Sequence, residues 1–182
     1  MTYTLGTLTF VPALSRADLL AVPVTAALAD PGWPWPADQV GVAEIDADLA
    51  DTGAFCERYA VSASESANCV VIAGKREGET RFAACVVLAT TRADVNGVAR
   101  RELDVRKASF APTDVAVAET SMEFGGITPI GLPAGWPVLI DASVAAGSLV
   151  VVGSGVRRSK LALSGKVLAN LPGALVIDGL GR

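Results

Sequence analysis

The amino-acid sequence predicts an α+β fold built on a mixed sheet. Three observations carry this reading: strand-sized apolar runs outnumber helical segments, hairpin-like pairs mix with crossovers, and no regular βαβ repeat is present. At 182 residues, 51% apolar and 19% charged, the chain is expected to form one domain, 1–182, with a substantial core. It contains no evident repeat, linker or low-complexity tail.

The elements follow in order. Residues 3–11 alternate, with Leu8 and Phe10 on one side and threonines on the other, and predict a first strand. Ser15 is expected to cap a short helix reaching Val22, and Pro23 to open a second through Ala29. PGWPWP at 31–36 is a loop whose Trp33 and Trp35 are expected to pack; an exposed patch there could form an interface. A strand over 39–45 precedes an acidic helix over 48–59. The Val-rich runs 69–74 and 81–89, separated by KREGET, predict a β-hairpin. A helix over 94–103, an extended piece over 105–110 and a helix over 112–120 come next. Buried strands are expected at 137–141 and 149–153, a helix at 164–170 and a closing strand at 174–177.

Bulk properties narrow the function classes. No apolar run reaches the length of a membrane span, and MTYTLGTLTF lacks a basic region followed by an apolar core, so a soluble, cytoplasmic protein is expected, with no membrane partner. Cys56, Cys69 and Cys85 are odd in number and scattered, which argues against a disulfide framework or a zinc site and for small buried hydrophobes. Charge is uneven: residues 1–55 carry one basic and seven acidic residues, whereas 56–182 carry fourteen basic and twelve acidic. The stretches Arg92–Lys107 and Arg157–Lys166 concentrate the positive charge and could bind a polyanion locally, or serve as ordinary solvated faces.

The chain has no histidine, which removes Ser-His-Asp triads, Cys-His pairs, HExxH sites and the commonest metal ligand. None of the four lysines, Lys75, Lys107, Lys160 and Lys166, has a serine three residues earlier, so an SxxK enzyme is not expected. Gly153-Ser154-Gly155-Val156-Arg157-Arg158 follows an apolar run but lacks the third glycine and downstream acid of a dinucleotide loop. No cofactor and no metal are expected. What remains is the loop Gly125-Gly126-Ile127-Thr128-Pro129-Ile130-Gly131, where glycines let backbone N–H groups approach a ligand closely. Such donors stabilise an oxyanion or bind a phosphate without titrating. Gly125 and Gly126 could equally serve a tight turn alone.

Residues 66–71 (SANCVV), 83–90 (AACVVLAT), 106–111 (RKASFA), 125–131 (GGITPIG), 137–141 (PVLID) and 150–158 (VVVGSGVRR) resemble, in order and spacing, the YbaK/prolyl-tRNA-synthetase-associated domain family. The match covers roughly 40–178. This resemblance implies a compact α+β domain with a mixed, curved β-sheet flanked by helices. It also implies hydrolysis of a small amino acid wrongly attached to tRNA, with aminoacyl-tRNA as partner and a synthetase as a further one. On the same resemblance Gly125 is the catalytic-loop glycine; Gly126, Thr128, Pro129 and Gly131 shape that loop and the substrate site; Gly153, Gly155 and Arg157 belong to a later basic glycine turn. Asn68 stands where active members carry a lysine at the start of a strand, and Lys107 or Arg157 is expected to supply the missing charge. Asn68 also opens a second reading, a tRNA- or nucleotide-binding module of the same fold with weak or no catalysis.

Overall fold

The computed structural model describes residues 2–33 and 35–182; Met1 and Pro34, the latter within the 31–36 loop, lie outside the described residues. Along the chain run β1 (Tyr3–Leu5), β2 (Leu8–Pro12), α1 (Val22–Ala29), β3 (Gly41–Glu44), α2 (Thr52–Tyr59), β4 (Ala67–Arg76) and β5 (Glu79–Leu88). There follow α3 (Arg100–Glu102), β6 (Ala108–Phe110), α4 (Thr113–Thr120), β7 (Val138–Asp141), α5 (Ala142–Ala145), β8 (Val150–Gly153), β9 (Ser159–Leu163), α6 (Gly165–Leu168) and β10 (Ala174–Ile177).

The α+β class is what the chain adopts, with its strands shared between two five-stranded sheets. One, ordered β1-β2-β3-β9-β8, is antiparallel throughout. The other, ordered β10-β7-β5-β4-β6, is mixed, because β7 pairs in parallel with both β5 and β10. The hairpin expected from the two Val-rich runs is β4–β5, which pairs Ala67 with Leu88 through to Arg76 with Glu79, so that the strands extend into KREGET and leave Glu77-Gly78 as the turn. The sheets meet where Ser66 bridges Val151 and the Val151 N–H donates to Glu65 O at 2.7 Å.

Period-two alternation sorts the strand residues into three apolar layers. Val86, Val150, Val152, Leu161 and Leu163 enter the central core with α1 and α6. Cys85, Val87 and Leu139 face a second cluster with Val95, Ala99 and Leu103. Val151 and Ala162 face a third with Phe55 of α2. No helix among the described residues is long and apolar enough to cross a membrane.

Three local expectations need correction. The strand over 3–11 is a hairpin: Gly6 takes the left-handed region at φ 57°, and Leu5 pairs with Leu8. Ser15 caps nothing; its hydroxyl donates back to Pro12 O at 2.6 Å, and a 3₁₀ helix runs Ala13–Leu19. The 48–59 helix breaks into a 3₁₀ turn, Ala47–Leu49, capped by Asp46, followed by α2. The largest omission is β9, which sequence reasoning left without an element although all five of its residues are buried.

Candidate functional site

A cavity of about 720 Å³ opens where the two sheets meet. Its walls come from the start of β4 (Ala67, Asn68, Cys69), from β8 (Val151, Gly153), from the turn before α2 (Ala50, Asp51, Thr52) and from the glycine loop (Phe124, Gly125, Ile127). Most of the lining is apolar or small, in keeping with a site that holds a compact organic group.

Two glycine turns are joined backbone to backbone at one rim. Gly155 N–H donates to Gly126 O at 2.7 Å, and Glu123 N–H donates to Gly155 O at 2.8 Å. This contact requires glycine: a Cβ on Gly126 would lie 2.6 Å from Val156 backbone, and one on Gly153 would overlap the Gly126 carbonyl oxygen. The Gly126 N–H is used inside the turn, donating to Glu123 O at 2.9 Å. Among the described residues the N–H groups of Gly125 and Ile127 make no hydrogen bond, and both residues line the cavity. They are free main-chain donors, as is the N–H of Phe124 on the same wall.

Gly125 holds φ at 81°, where any other L-residue is strained. A Cβ there would press on the Arg157 guanidinium. Arg157 does not line the cavity. Its Nε donates to Ala47 O and its Nη1 to Phe124 O, each at 3.2 Å, and it lies 3.8 Å from Asp51. The arginine therefore ties the turn before α2 to the glycine loop, with its charge turned to those partners.

The other anticipated residues are dispersed. Asn68 lines the cavity and accepts from Thr52 Oγ1 at 2.6 Å. Lys107 is exposed and absent from the cavity wall, so it supplies no charge there. Thr128 is fully buried with its hydroxyl unpartnered, and Gly155 packs on Ala21. Pro129 and Gly131 line a separate cavity of about 620 Å³ with Trp33 and Trp136. Trp33 and Trp35 are partly buried against the core and form no exposed patch. Cys69 lines the main cavity, but burial pushes its thiol well above the usual range, so it is not a thiolate nucleophile.

One side chain of consequence was missed. Lys160 of β9 lines the cavity while only 8% exposed. Its Nζ donates to Ala50 O at 2.8 Å and sits 5.3 Å from the centre of the Phe55 ring. Burial, reinforced by nearby Arg157, pulls its pKa from the usual 10.5 to about 8. The other charged side chains of the lining, Asp51 and Arg92, are exposed. The site thus combines unpaired backbone donors, a buried ammonium and neutral polar groups from Asn68 and Thr52. That set suits stabilising negative charge on oxygen more than removing a proton.

The chain belongs to the aminoacyl-tRNA editing domain family, whose model matches residues 46–171. That span includes Asn68, the glycine loop and Lys160. In fold it is similar to a solved structure described as a candidate trans-editing enzyme for prolyl-tRNA synthetase, with a TM-score of 0.72 at 22% identity, over 88% of this chain and 95% of that one. A hypothetical protein of known structure superposes with a TM-score of 0.67 at 19% identity, over 78% and 90% of the two chains. No curated protein matches the chain in sequence.

Proposed function

We propose that this protein is an aminoacyl-tRNA deacylase acting in trans, which hydrolyses the ester of a tRNA mischarged with a small amino acid. The observation that carries the reading is the pair of unpaired N–H groups, at Gly125 and Ile127, on the wall of a largely apolar cavity. In the reaction water adds to the ester carbonyl and the bond from the acyl carbon to the ribose oxygen breaks. The proton released from water goes to the departing ribose oxygen, and a free amino acid leaves. Aminoacyl esters are labile, so donors aimed at the carbonyl oxygen together with a held water suffice where an amide would demand an acid and a base. Asn68 and Thr52 are the neutral groups able to hold that water or the amino acid's own amine.

Purified protein incubated with tRNAs carrying alanine, serine, cysteine or threonine is expected to release one of them faster than the spontaneous rate. Spontaneous rates across the panel would remove the reading. Gly125→Ala is expected to lose turnover while remaining folded, with strain of about 1–2 kcal/mol from its positive φ. An unchanged rate would displace Gly125 from the site.

Phe110 and Phe124 line the same cavity and are 59% and 58% exposed. Unpaired bases stack on such faces for about 1–3 kcal/mol each. Phe124→Ala is accordingly expected to raise KM about tenfold with kcat retained; steady-state kinetics on the charged tRNA checks this.

Asn68 supports a second reading, a tRNA- or nucleotide-binding module without turnover. Calorimetry showing tRNA binding with no hydrolysis, and activity gained on Asn68→Lys, would establish it.

A further inference from the structure

We infer that Lys160 is the substrate-facing cation of this site, contributed by β9 to bind an anionic oxygen of the bound RNA end. The inference rests on the deacylase reading and deepens it. The anionic oxygen has two sources in such a substrate: the carbonyl oxygen as it gains charge during ester hydrolysis, and the phosphate of the terminal nucleotide.

Geometry places the side chain where either can reach it. Lys160 pairs with Gly153 across the β8–β9 ladder, and cross-strand partners project from one face of a sheet. On that face a Cβ at Gly153 would lie 2.6 Å from the Ile127 carbonyl oxygen, so the ammonium and the glycine loop share one side of the sheet. Ala162, two residues on, projects with Lys160 toward Phe55 and Val151.

The ammonium also lacks an ion-pair partner among the described residues; its hydrogen-bond partner is a neutral carbonyl, Ala50 O. Asp51, the carboxylate whose charge acts on it, pairs with Arg157 and is itself exposed. Buried ammonium groups are costly unless paired, so an unpaired one on a cavity wall is a group held ready for a ligand. Neither Lys107 nor Arg157 offers this: the first is off the wall, and the second is committed to Ala47, Phe124 and Asp51.

The groups facing Lys160 fix the sign of its pH response. Burial and the Arg157 charge lower its pKa, while Asp51 and the Cys56 sulfur raise it, for a result of about 8. The charged form, which the role requires, dominates at pH 7 and is lost as pH rises through about 8.

The test compares native protein, Lys160→Met and Lys160→Arg on the mischarged tRNA, with spontaneous hydrolysis subtracted. It adds binding of a tRNA analogue whose aminoacyl group is linked through a non-hydrolysable amide. Lys160→Met is expected to lower kcat/KM at least tenfold at pH 7, with Lys160→Arg recovering part of the loss. A fall in kcat alone assigns the oxyanion; a rise in KM with weaker analogue binding assigns the phosphate. The native kcat/KM profile is expected to fall more steeply through pH 8 than that of Lys160→Met, in which the substrate's own amine still titrates but Lys160 does not. A folded Lys160→Met within twofold of native in rate and analogue affinity overturns the inference. So does a profile through pH 8 that is the same in native protein and Lys160→Met, with the substrate amine accounting for the whole limb in both. If Lys160→Met does not fold, Lys160→Arg decides through its profile: a limb displaced upward supports the role, and an unmoved one refutes it. Should native protein hydrolyse no tRNA, the deacylase reading fails separately. Analogue binding then decides, since affinity equal in native and Lys160→Met removes Lys160 from the site.

Discussion

Gly153→Ala is expected to cut kcat for ester hydrolysis about 100-fold or more, because a displacement of about 1 Å in a positioned group costs rates of that order. The new Cβ would overlap the Gly126 carbonyl oxygen and lie 2.6 Å from the Ile127 carbonyl oxygen. Both obstacles are backbone, so no side chain can swing aside. Gly126 cannot retreat freely either, since its carbonyl accepts from Gly155 N–H at 2.7 Å and Val156 backbone lies 2.6 Å from where its Cβ would stand. The loop must shift as a unit, carrying the Gly125 and Ile127 donors away from the acyl group. Overpacking of this kind also costs about 1–3 kcal/mol of stability. Single-turnover kinetics and urea unfolding measure the two effects. A variant destabilised within that range but turning over at the native rate would show that the loop's position does not set the chemistry.

How far this site was legible in the sequence depends on what each residue needed from distant parts of the chain. The β4–β5 hairpin was legible because two Val-rich runs and the polar turn between them lie within one local stretch. The glycine loop was legible as a chemical type, and Gly125 does line the cavity. Its neighbours divided in a way no spacing could disclose. Thr128, two residues from Gly126, is fully buried, and Pro129 and Gly131 open onto a different cavity. One turn of backbone was enough to send them to the other side.

Lys160 was hidden for another reason. The run Arg157-Arg158-Ser159-Lys160 reads as solvated basic surface, and Arg158 is indeed exposed. Only pairing on both edges of β9, with β3 and with β8, buries the strand and carries Lys160 inside. SKLAL shows no alternation because all five of its residues are buried. The only local signal was the apolar Leu-Ala-Leu after the lysine, bounded by the Ser164 cap of α6. Lys107 and Arg157, the cations the sequence offered for the site, have the right chemistry and the wrong placement.

The folded protein is expected to gain stability when Lys160 is replaced by methionine, while losing activity. In the unfolded chain Lys160 titrates near 10.5, and in the folded protein near 8. A folded-state pKa below the unfolded one means that the unfolded chain binds more protons between those values, so stability rises with pH across about 8 to 10.5. Below about 8 both states carry the charge and the full penalty applies, on the order of 3 kcal/mol at 1.36 kcal/mol per pH unit. Methionine removes that penalty but leaves the Ala50 carbonyl without its donor, which costs about 1 kcal/mol. A net gain of about 2 kcal/mol at pH 7 is expected. Other groups oppose the trend in the native protein. Cys85, pushed up to about 12, and Tyr3, likewise raised to about 12, keep their protons when folded and so lower stability as pH climbs past their usual ranges. The difference between native and variant, measured by urea unfolding from pH 7 to 10, isolates Lys160 because those groups are common to both. It is expected to shrink steadily above pH 8. A difference independent of pH would mean that Lys160 keeps its ordinary pKa in the folded state, and one already shrinking from pH 7 would mean that it is neutral there. A gain of stability joined to a loss of turnover is the mark of a charge kept for function at the expense of the fold.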